Sequence, residues 1–380
     1  MIKRIWAKNY RSLAKVNVRL EPLTVLVGPN GSGKSNLIDV LRFVSDAIYR
    51  GLDTAVRSRG GIEQLRRWQT SGKRYDVEVG LSIKTETLEG EYSFVLSSKP
   101  SGEYRVKAER CNFHLNGYSE GIGFEIQGGR WTRRPSEIDA PISSSRLVLP
   151  LVASLERYQE LYDLLAGMSF YNIFPNELAK PQQPTNAYPL EEHGENLASF
   201  LDDLQKRNRR KGDFRQGLED ALRRASGDIT RYKVNRVGGF LAVNLYHQFA
   251  DEAEQGPWFE LSQESAGTLR ILGILAALYQ DPPRTLIAIE EPELTIHPGA
   301  MSVLWEEIES AAERSQIIIT THSPDLLDMC RAEQLHVVEK SGGITEVGPI
   351  AEEQKQIIQK RLFAPGQLLR AQGLHRVWEE

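Results

Sequence analysis

The sequence predicts an α/β fold, with a mostly parallel core sheet, an antiparallel β subdomain and an inserted β/helical arm lobe. Three observations predict it. Between Val25 and Leu41 an apolar strand runs into a glycine-rich loop and then a helix. Two further apolar, β-branched runs, Arg284 to Ile289 and Gln316 to Thr321, each end in polar functional groups. Between the loop and those runs, residues 76–127 alternate apolar and polar with the period of two expected of half-buried strands.

The loop comes first. Val25-Leu26-Val27-Gly28-Pro29-Asn30-Gly31-Ser32-Gly33-Lys34-Ser35-Asn36 matches G-x-x-x-x-G-K-[ST] in its strand–loop–helix setting. Glycines at 28, 31 and 33 let the backbone curl so that successive N–H groups face one concavity. A helix beginning near Gly33 adds its positive end. Lys34 is placed to reach β- and γ-phosphates, and the Ser35 hydroxyl to ligate Mg²⁺. Asn30, Gly31, Ser32, Gly33, Lys34, Ser35 and Asn36 are therefore the candidate nucleotide-binding residues. No Asn-Lys-x-Asp guanine-reading element occurs, so the expected nucleotide is ATP.

The middle of the chain follows. Asp76 to Ile83, Glu91 to Leu96, Tyr104 to Cys111 and Gly123 to Gln127 read as an antiparallel meander, with turns at Lys99-Pro100-Ser101-Gly102 and Asn116-Gly117. Helices are predicted at about 152–167, 194–208 and 213–226, and an exposed loop over Pro181 to Asn186. Pro141, Pro150, Pro175, Pro181, Pro184 and Pro189 interrupt this region, and no sustained heptads occur, so a long coiled coil is excluded. The expected division is an N-terminal ATPase lobe over 1–150, a helical arm over 151–245 and a C-terminal ATPase lobe over 246–380. That last lobe ends in a hairpin, Leu335 to Val347, and a terminal helix.

Three stations then follow in order. Glu264-Ser265-Ala266-Gly267-Thr268-Leu269-Arg270 leads into an apolar helical run, Arg284 to Glu293 ends in paired carboxylates, and Gln316 to Pro324 carries His322. Ser265 and Glu291 are 26 residues apart, and Glu291 and His322 are 31 apart. In this order the chain resembles the ABC-type P-loop ATPase heads of the RecF/SMC-like group. The resemblance implies that Glu290 holds Mg²⁺ through water, that Glu291 is the general base, and that His322 is the switch histidine beside the γ-phosphate. It implies that Ser265 and Gly267 contact the γ-phosphate of a second protomer. Asn9-Tyr10-Arg11-Ser12-Leu13 resembles the Asn-Phe-Arg-Ser element of the same group, which places Arg11 and Ser12 near the phosphates. The chain departs from the group's pattern in Glu290, where Asp is more usual, and in a signature reading Ser-Ala-Gly rather than Ser-Gly-Gly. Gln64 and Gln127 both remain open for the glutamine that links the phosphates to the inserted lobe.

The interval of 231 residues from Lys34 to Ser265, and the Lys-Ser-Asn after the glycines, resemble SMC and RecF relatives rather than transporter subunits. The resemblance implies heads that dimerise on ATP, reopen on hydrolysis, and act in DNA maintenance or anti-phage defence. ATPases of the overcoming-lysogenisation-defect nuclease type carry a Toprim nuclease after the head. Here 58 residues follow His322 and hold no Asp-x-Asp pair, so any nuclease is expected on a separate effector chain. The alternative is a regulatory or scaffolding subunit that gates a protein partner without DNA.

Composition sets the remaining bounds. At 380 residues and 40% hydrophobic, the chain can bury a large core. Two cysteines suit a reducing cytosol rather than a disulfide framework. No apolar run approaches a membrane span, and the expectation is a cytoplasmic protein. Net charge is −4, yet Leu204 to Arg236 holds eleven basic and four acidic residues. Arg207, Arg209, Arg210, Lys211, Arg223 and Arg224 there are the candidate duplex-DNA contacts. Only Phe214 and Tyr232 interleave with them, which gives little support to single-strand stacking. Arg57, Arg59, Arg66, Arg67, Lys73 and Arg74 form a second basic cluster.

Overall fold

In the computed structural model, which describes residues 1–67, 75–98, 102–139, 141–207, 214–248 and 256–377, the chain opens with an antiparallel hairpin. Its strands are β1 (Ile2–Tyr10) and β2 (Leu13–Arg19). The strand β3 (Leu23–Val27) is buried at every position, as a run of apolar residues with both faces covered requires. Helix α1 (Lys34–Asp46) follows the glycine loop and turns Leu37, Leu41, Phe43 and Val44 into the core. Short helices α2 (Leu52–Arg57) and α3 (Ile62–Leu65) lead to the meander of β4 (Val77–Lys84), β5 (Leu88–Ser98), β6 (Tyr104–Leu115) and β7 (Ile122–Gln127). Each of these strands pairs antiparallel with the next, and β8 (Arg130–Arg133) pairs with β7.

The meander is the one its alternation predicts, with a turn at Asn116-Gly117; Lys99 to Ser101 fall outside the described residues. The helix predicted over 152–167 is two: α4 (Leu149–Val152), with Pro150 in its first turn, and α5 (Glu156–Ala166). Tyr158 of α5 packs edge-on against Phe113 and tilted against Phe124, so this helix covers the meander.

The chain divides into two units. The first is Met1–Met168 with Ala332–Lys360 and Leu374–Glu380, and the second is Ser169–Arg331 with Arg361–Gly373. Most of the expected arm, from residue 169 to 245, thus belongs to the same unit as the signature, carboxylate and histidine segments.

The second unit starts with β9 (Met168–Tyr171) from Ser169 on, then α6 (Pro175–Leu178), α7 (Leu197–Arg207) and α8 (Phe214–Ser226). A three-stranded antiparallel sheet follows: β10 (Ile229–Val237), β11 (Phe240–His247) and β12 (Trp258–Glu260). The loop predicted over Pro181 to Asn186 is exposed except at Gln182. That residue is buried, exchanges backbone hydrogen bonds with Leu241, donates to Gly194 O at 2.8 Å and accepts from Ala198 N at 2.7 Å. Next come α9 (Ala266–Leu278), β13 (Leu286–Glu290), α10 (Pro298–Ala311), β14 (Gln316–Thr321) and α11 (Pro324–Leu327). Strands β13 and β14 are parallel, in the register Leu286↔Gln316 to Glu290↔Thr320.

The chain then returns to the first unit with β15 (Leu335–Ser341), β16 (Ile344–Pro349) and α12 (Glu352–Gln359). The last helix, α13 (Pro365–Gln372), belongs to the second unit. Strand β15 lies parallel to β3, and β16 meets β2 at Thr345↔Leu13. The strand order in the first unit is therefore β8-β7-β6-β5-β4-β1-β2-β16-β15-β3. The predicted hairpin is β15–β16, and two helices follow it where one was expected.

One buried carboxyl in this unit makes stability depend on pH. Glu109 on β6 is fully buried and accepts from Val148 N (2.6 Å), Leu149 N (3.0 Å) and the Tyr92 hydroxyl (2.9 Å). Burial pushes it up to about 7 although those three donors oppose the rise. Between about pH 4.5 and 7 the unfolded chain has lost this proton while the folded chain keeps it. Glu109 should therefore lower stability as pH rises through that window, by on the order of 3 kcal/mol, and add nothing further above it. Urea unfolding at pH 5 and pH 8 checks this: Glu109→Gln should flatten the difference. An equal pH dependence in both proteins would assign it to other groups.

Candidate functional site

In the first unit, the residues around the glycine loop fix one another. Gly31 and Gly33 have φ of 75° and 109°, the left-handed region that glycine tolerates. A Cβ at Gly28 would lie 2.2 Å from the carbonyl oxygen of Val338, and one at Gly33 would lie 2.2 Å from Thr345 Oγ1. Thr345 donates to Ser32 O at 2.7 Å and shares a 2.7 Å hydrogen bond with Ser12, which accepts from Asn36 Nδ2 at 2.6 Å. The Ser12 turn, the loop and the start of α1 are thus pinned through one threonine of β16. Sequence reasoning missed Thr345, because nothing local marks a residue more than 300 positions away as the loop's support.

Lys34 is buried, and its Nζ donates to Gly28 O (2.7 Å) and Pro29 O (3.1 Å). Ser32 Oγ is buried with no hydrogen-bond partner among the described residues, while Asn30, Gly31 and Ser35 are exposed. A held ammonium, an orphaned hydroxyl and glycines with no room for a side chain fit the cradle of a phosphate-rich ligand.

Arg11, with φ 47°, turns instead to Asp39 on α1 (3.1 Å). Asp39 also receives the Tyr10 hydroxyl (2.6 Å) and Arg59 Nε (3.0 Å). Arg59, read from the sequence as part of a basic cluster, is a buried partner of Asp39 and Asp46, so it offers no surface charge. The described residues Arg57 and Arg66 pair with Asp53 and Glu63; Lys73 and Arg74 lie outside the described residues. Gln127 ends β7, eight strand positions from β3 in the sheet order, nearly 40 Å at ~4.8 Å per strand, which removes it as a contact of the loop. Gln64 is on α3, whose end donates to and accepts from the Asn9–Arg11 turn.

In the second unit, the carboxylate and histidine segments meet. Parallel strands β13 and β14 end side by side, with Glu290 opposite Thr320. Glu291 follows at φ 46°, its N–H bonded to Thr320 O at 3.0 Å. Its Oε1 lies 3.2 Å from His322 Nδ1, both side chains part-exposed. Thr321 donates to buried Glu293 at 2.5 Å and accepts from Ser323 N at 2.9 Å, so the backbone on either side of His322 is held.

Ser265 caps α9 by accepting from Thr268 N (3.1 Å). Gly267 has no room for a side chain, because a Cβ there would lie 2.6 Å from Thr295 O. One turn on, buried Arg270 donates to the carbonyls of Glu290 (3.2 Å), Glu291 (2.9 Å) and Ile173 (2.7 Å). Burial draws its guanidinium below the usual range, against the opposing charges of Glu293 and Glu291. Arg270 ties the helix of the signature to the backbone that carries the paired carboxylates. Its sequence signal was a lone cation opening an otherwise apolar, buried helix.

His247, another residue that sequence reasoning passed over, is clamped between Asp228 (2.8 Å) and Glu264 (2.8 Å), immediately before Ser265. Burial works to lower its pKa, but the bonds to Glu264 and Asp228 prevail and raise it. A recess of about 140 Å³ beside Ser265, Gly267 and Thr268 is lined also by Ser226, Thr295 and His297.

Of the basic patch, Arg209, Arg210 and Lys211 fall outside the described residues, as does the side chain of Arg207. On α8, Arg223 pairs with Asp220 (3.5 Å), and Arg224 with Glu306 (2.6 Å) and Glu307. Those carboxylates offset the charge of both arginines.

Comparison with known proteins places the chain in a family. Residues 23–328 match the family described as "AAA domain, putative AbiEii toxin, Type IV TA system". The chain is 23% identical over 354 residues to the OLD nuclease of Thermus scotoductus, covering 90% of this chain and 62% of that protein. It is 21% identical to Endonuclease GajA of Bacillus cereus, covering 88% of this chain and 58% of that one. The chain thus spans about three fifths of the length of these curated relatives. Among solved structures, an SMC head bound to the C-terminal winged-helix domain of ScpA aligns with a TM-score of 0.58 at 15% identity. It covers 93% of this chain and 99% of that one, and so shares the fold.

Proposed function

The chain belongs to this AAA-domain family, and from that premise we propose that it binds and hydrolyses ATP as a dimerisation switch related to SMC heads and the OLD and GajA nucleases. The observation that carries the reading is the Glu291–His322 pair at the ends of adjacent parallel strands, braced from the signature helix by Arg270. The glycine loop, Asn30 to Asn36, would cradle the triphosphate, with Lys34 at its outer phosphates and Arg11 and Ser12 beside the loop. Ser35 and Glu290 would hold Mg²⁺, which when bound neutralises phosphate charge. Glu291 would orient and deprotonate the attacking water, and His322 would hold Glu291 and sense the γ-phosphate. Ser265 and Gly267 would reach the nucleotide of a second protomer, giving a homodimer.

Support for a setting in DNA maintenance or anti-phage defence comes from the names of the relatives, both nucleases. A nuclease effector would act alongside this ATPase. No helix among the described residues is long and apolar enough to cross a membrane.

Turnover of ATP by the wild-type chain, with and without linear duplex DNA at low and moderate salt, tests the setting. Stimulation that fades as salt rises is expected if duplex DNA is the activating ligand. A rate indifferent to DNA, yet absent from Glu291→Gln, would keep the ATPase and transfer the gating to a protein partner. No turnover in any condition would overturn the reading.

A further inference from the structure

The second unit carries a surface that its charge window does not show. Strands β10, β11 and β12 form a sheet whose inner face, through Tyr232, Leu241, Val243 and Leu245, is buried, with Tyr232 bonding to Leu201 O of α7. The register places Arg231 opposite Tyr246, Lys233 opposite Asn244, Asn235 opposite Ala242 and Val237 opposite Phe240. Trp258 lies across from Tyr246 on the third strand. Alternation puts these residues on the other, outward face.

On that face the Arg231 guanidinium sits 4.3 Å from the Tyr246 ring centre, and Lys233 Nζ sits 4.1 Å from that of Trp258. The two rings are themselves in contact at 5.1 Å. Among the described residues neither cation has a carboxylate partner, unlike Arg223 and Arg224 on α8. The rings hold both charges in place without neutralising them. Further along, Asn235 Nδ2 donates to Asn244 Oδ1 at 3.0 Å. At the tip, Gly238 and Gly239 both have positive φ, and the flanking Phe240 and Val237 are 41% and 62% exposed. Among the described residues of this face, Glu260 is the acid, opposite Asn244.

We infer that this outward face binds single-stranded nucleic acid, with Arg231 and Lys233 on successive phosphates and Phe240 as a stacking ring. Two cations with no carboxylate partner among the described residues, amides beside them and an exposed ring beyond supply the phosphate and base contacts of such a strand. A duplex hides its base faces and has no use for Phe240. An acidic peptide would use the cations and leave the ring idle. The sequence window ending at Arg236 offered only Phe214 and Tyr232 for stacking, and both are spent: Tyr232 is buried beneath Arg215, and Phe214 packs under Arg314. The ring that serves is Phe240 of β11, four residues beyond that window.

The test is fluorescence anisotropy of the full chain with labelled oligothymidylate of roughly 15 nucleotides. It is run without ATP, so that failure of the ATPase reading leaves it untouched. Affinity should fall with salt, Phe240→Ala should weaken binding about tenfold or more, and Phe240→Tyr should keep it. Arg231→Glu with Lys233→Glu should abolish binding while the circular dichroism melt stays as in wild type. Equal binding in Phe240→Ala, competition by duplex as strong as by the single strand, or displacement by polyglutamate of matched charge would each overturn the proposal.

Discussion

Glu291→Gln should lower ATP turnover by roughly 10²–10⁴-fold, the usual worth of a positioned general base, while ATP binding survives. Glutamine keeps the size of the side chain and its reach to His322, 3.2 Å away, but cannot take a proton from water. Bound nucleotide then persists, and the chain should accumulate as a dimer by light scattering in Mg-ATP. A variant that stays monomeric with saturating Mg-ATP would remove the shared-site mechanism. A variant that turns over normally would take the base away from Glu291.

Arg270→Met should be the most damaging single change in the second unit. It leaves the carbonyls of Ile173, Glu290 and Glu291 without the donor they now share. At about 1–3 kcal/mol for each acceptor left unpaired, the three together amount to a loss of roughly 3–9 kcal/mol, the part-buried carbonyls of Glu290 and Glu291 counting toward the lower end. Urea unfolding reads it directly. Arg270→Lys provides the second readout: one ammonium cannot serve three carbonyls, so Glu291, held at φ 46°, should lose its fixed position. Turnover should then fall more than ATP binding does. A melt of Arg270→Met matching wild type would show that those carbonyls find other donors.

What could be read in advance was whatever is written locally. The loop from Gly28 to Ser35, the alternating meander and the β-branched strand before His322 each announce themselves within a dozen residues, because turn chemistry and periodicity are short-range. The Glu291–His322 meeting was also legible, since parallel strands of similar length align their ends. Contacts between distant segments were not. Asp39 as the common partner of Tyr10, Arg11 and Arg59 depends on how a hairpin, a helix and a loop pack. A count of basic residues grouped Arg59 with surface charges, because charge along a sequence does not report burial. The same count overlooked Trp258 and Tyr246, which reach Lys233 and Arg231 only across strand pairing.

The hydrogen bonds from Thr345 to Ser32 and Ser12 also bear on how the protein is made. The threonine that backs Gly33 is translated 313 residues after Ser32. At about 5–20 residues per second, that is a delay of roughly 15–60 s. The parallel neighbour of β3, strand β15, is equally late. During that interval the nascent chain holds the loop without Thr345 and β15 behind it, so the loop takes its final shape only once residues 335–345 have emerged.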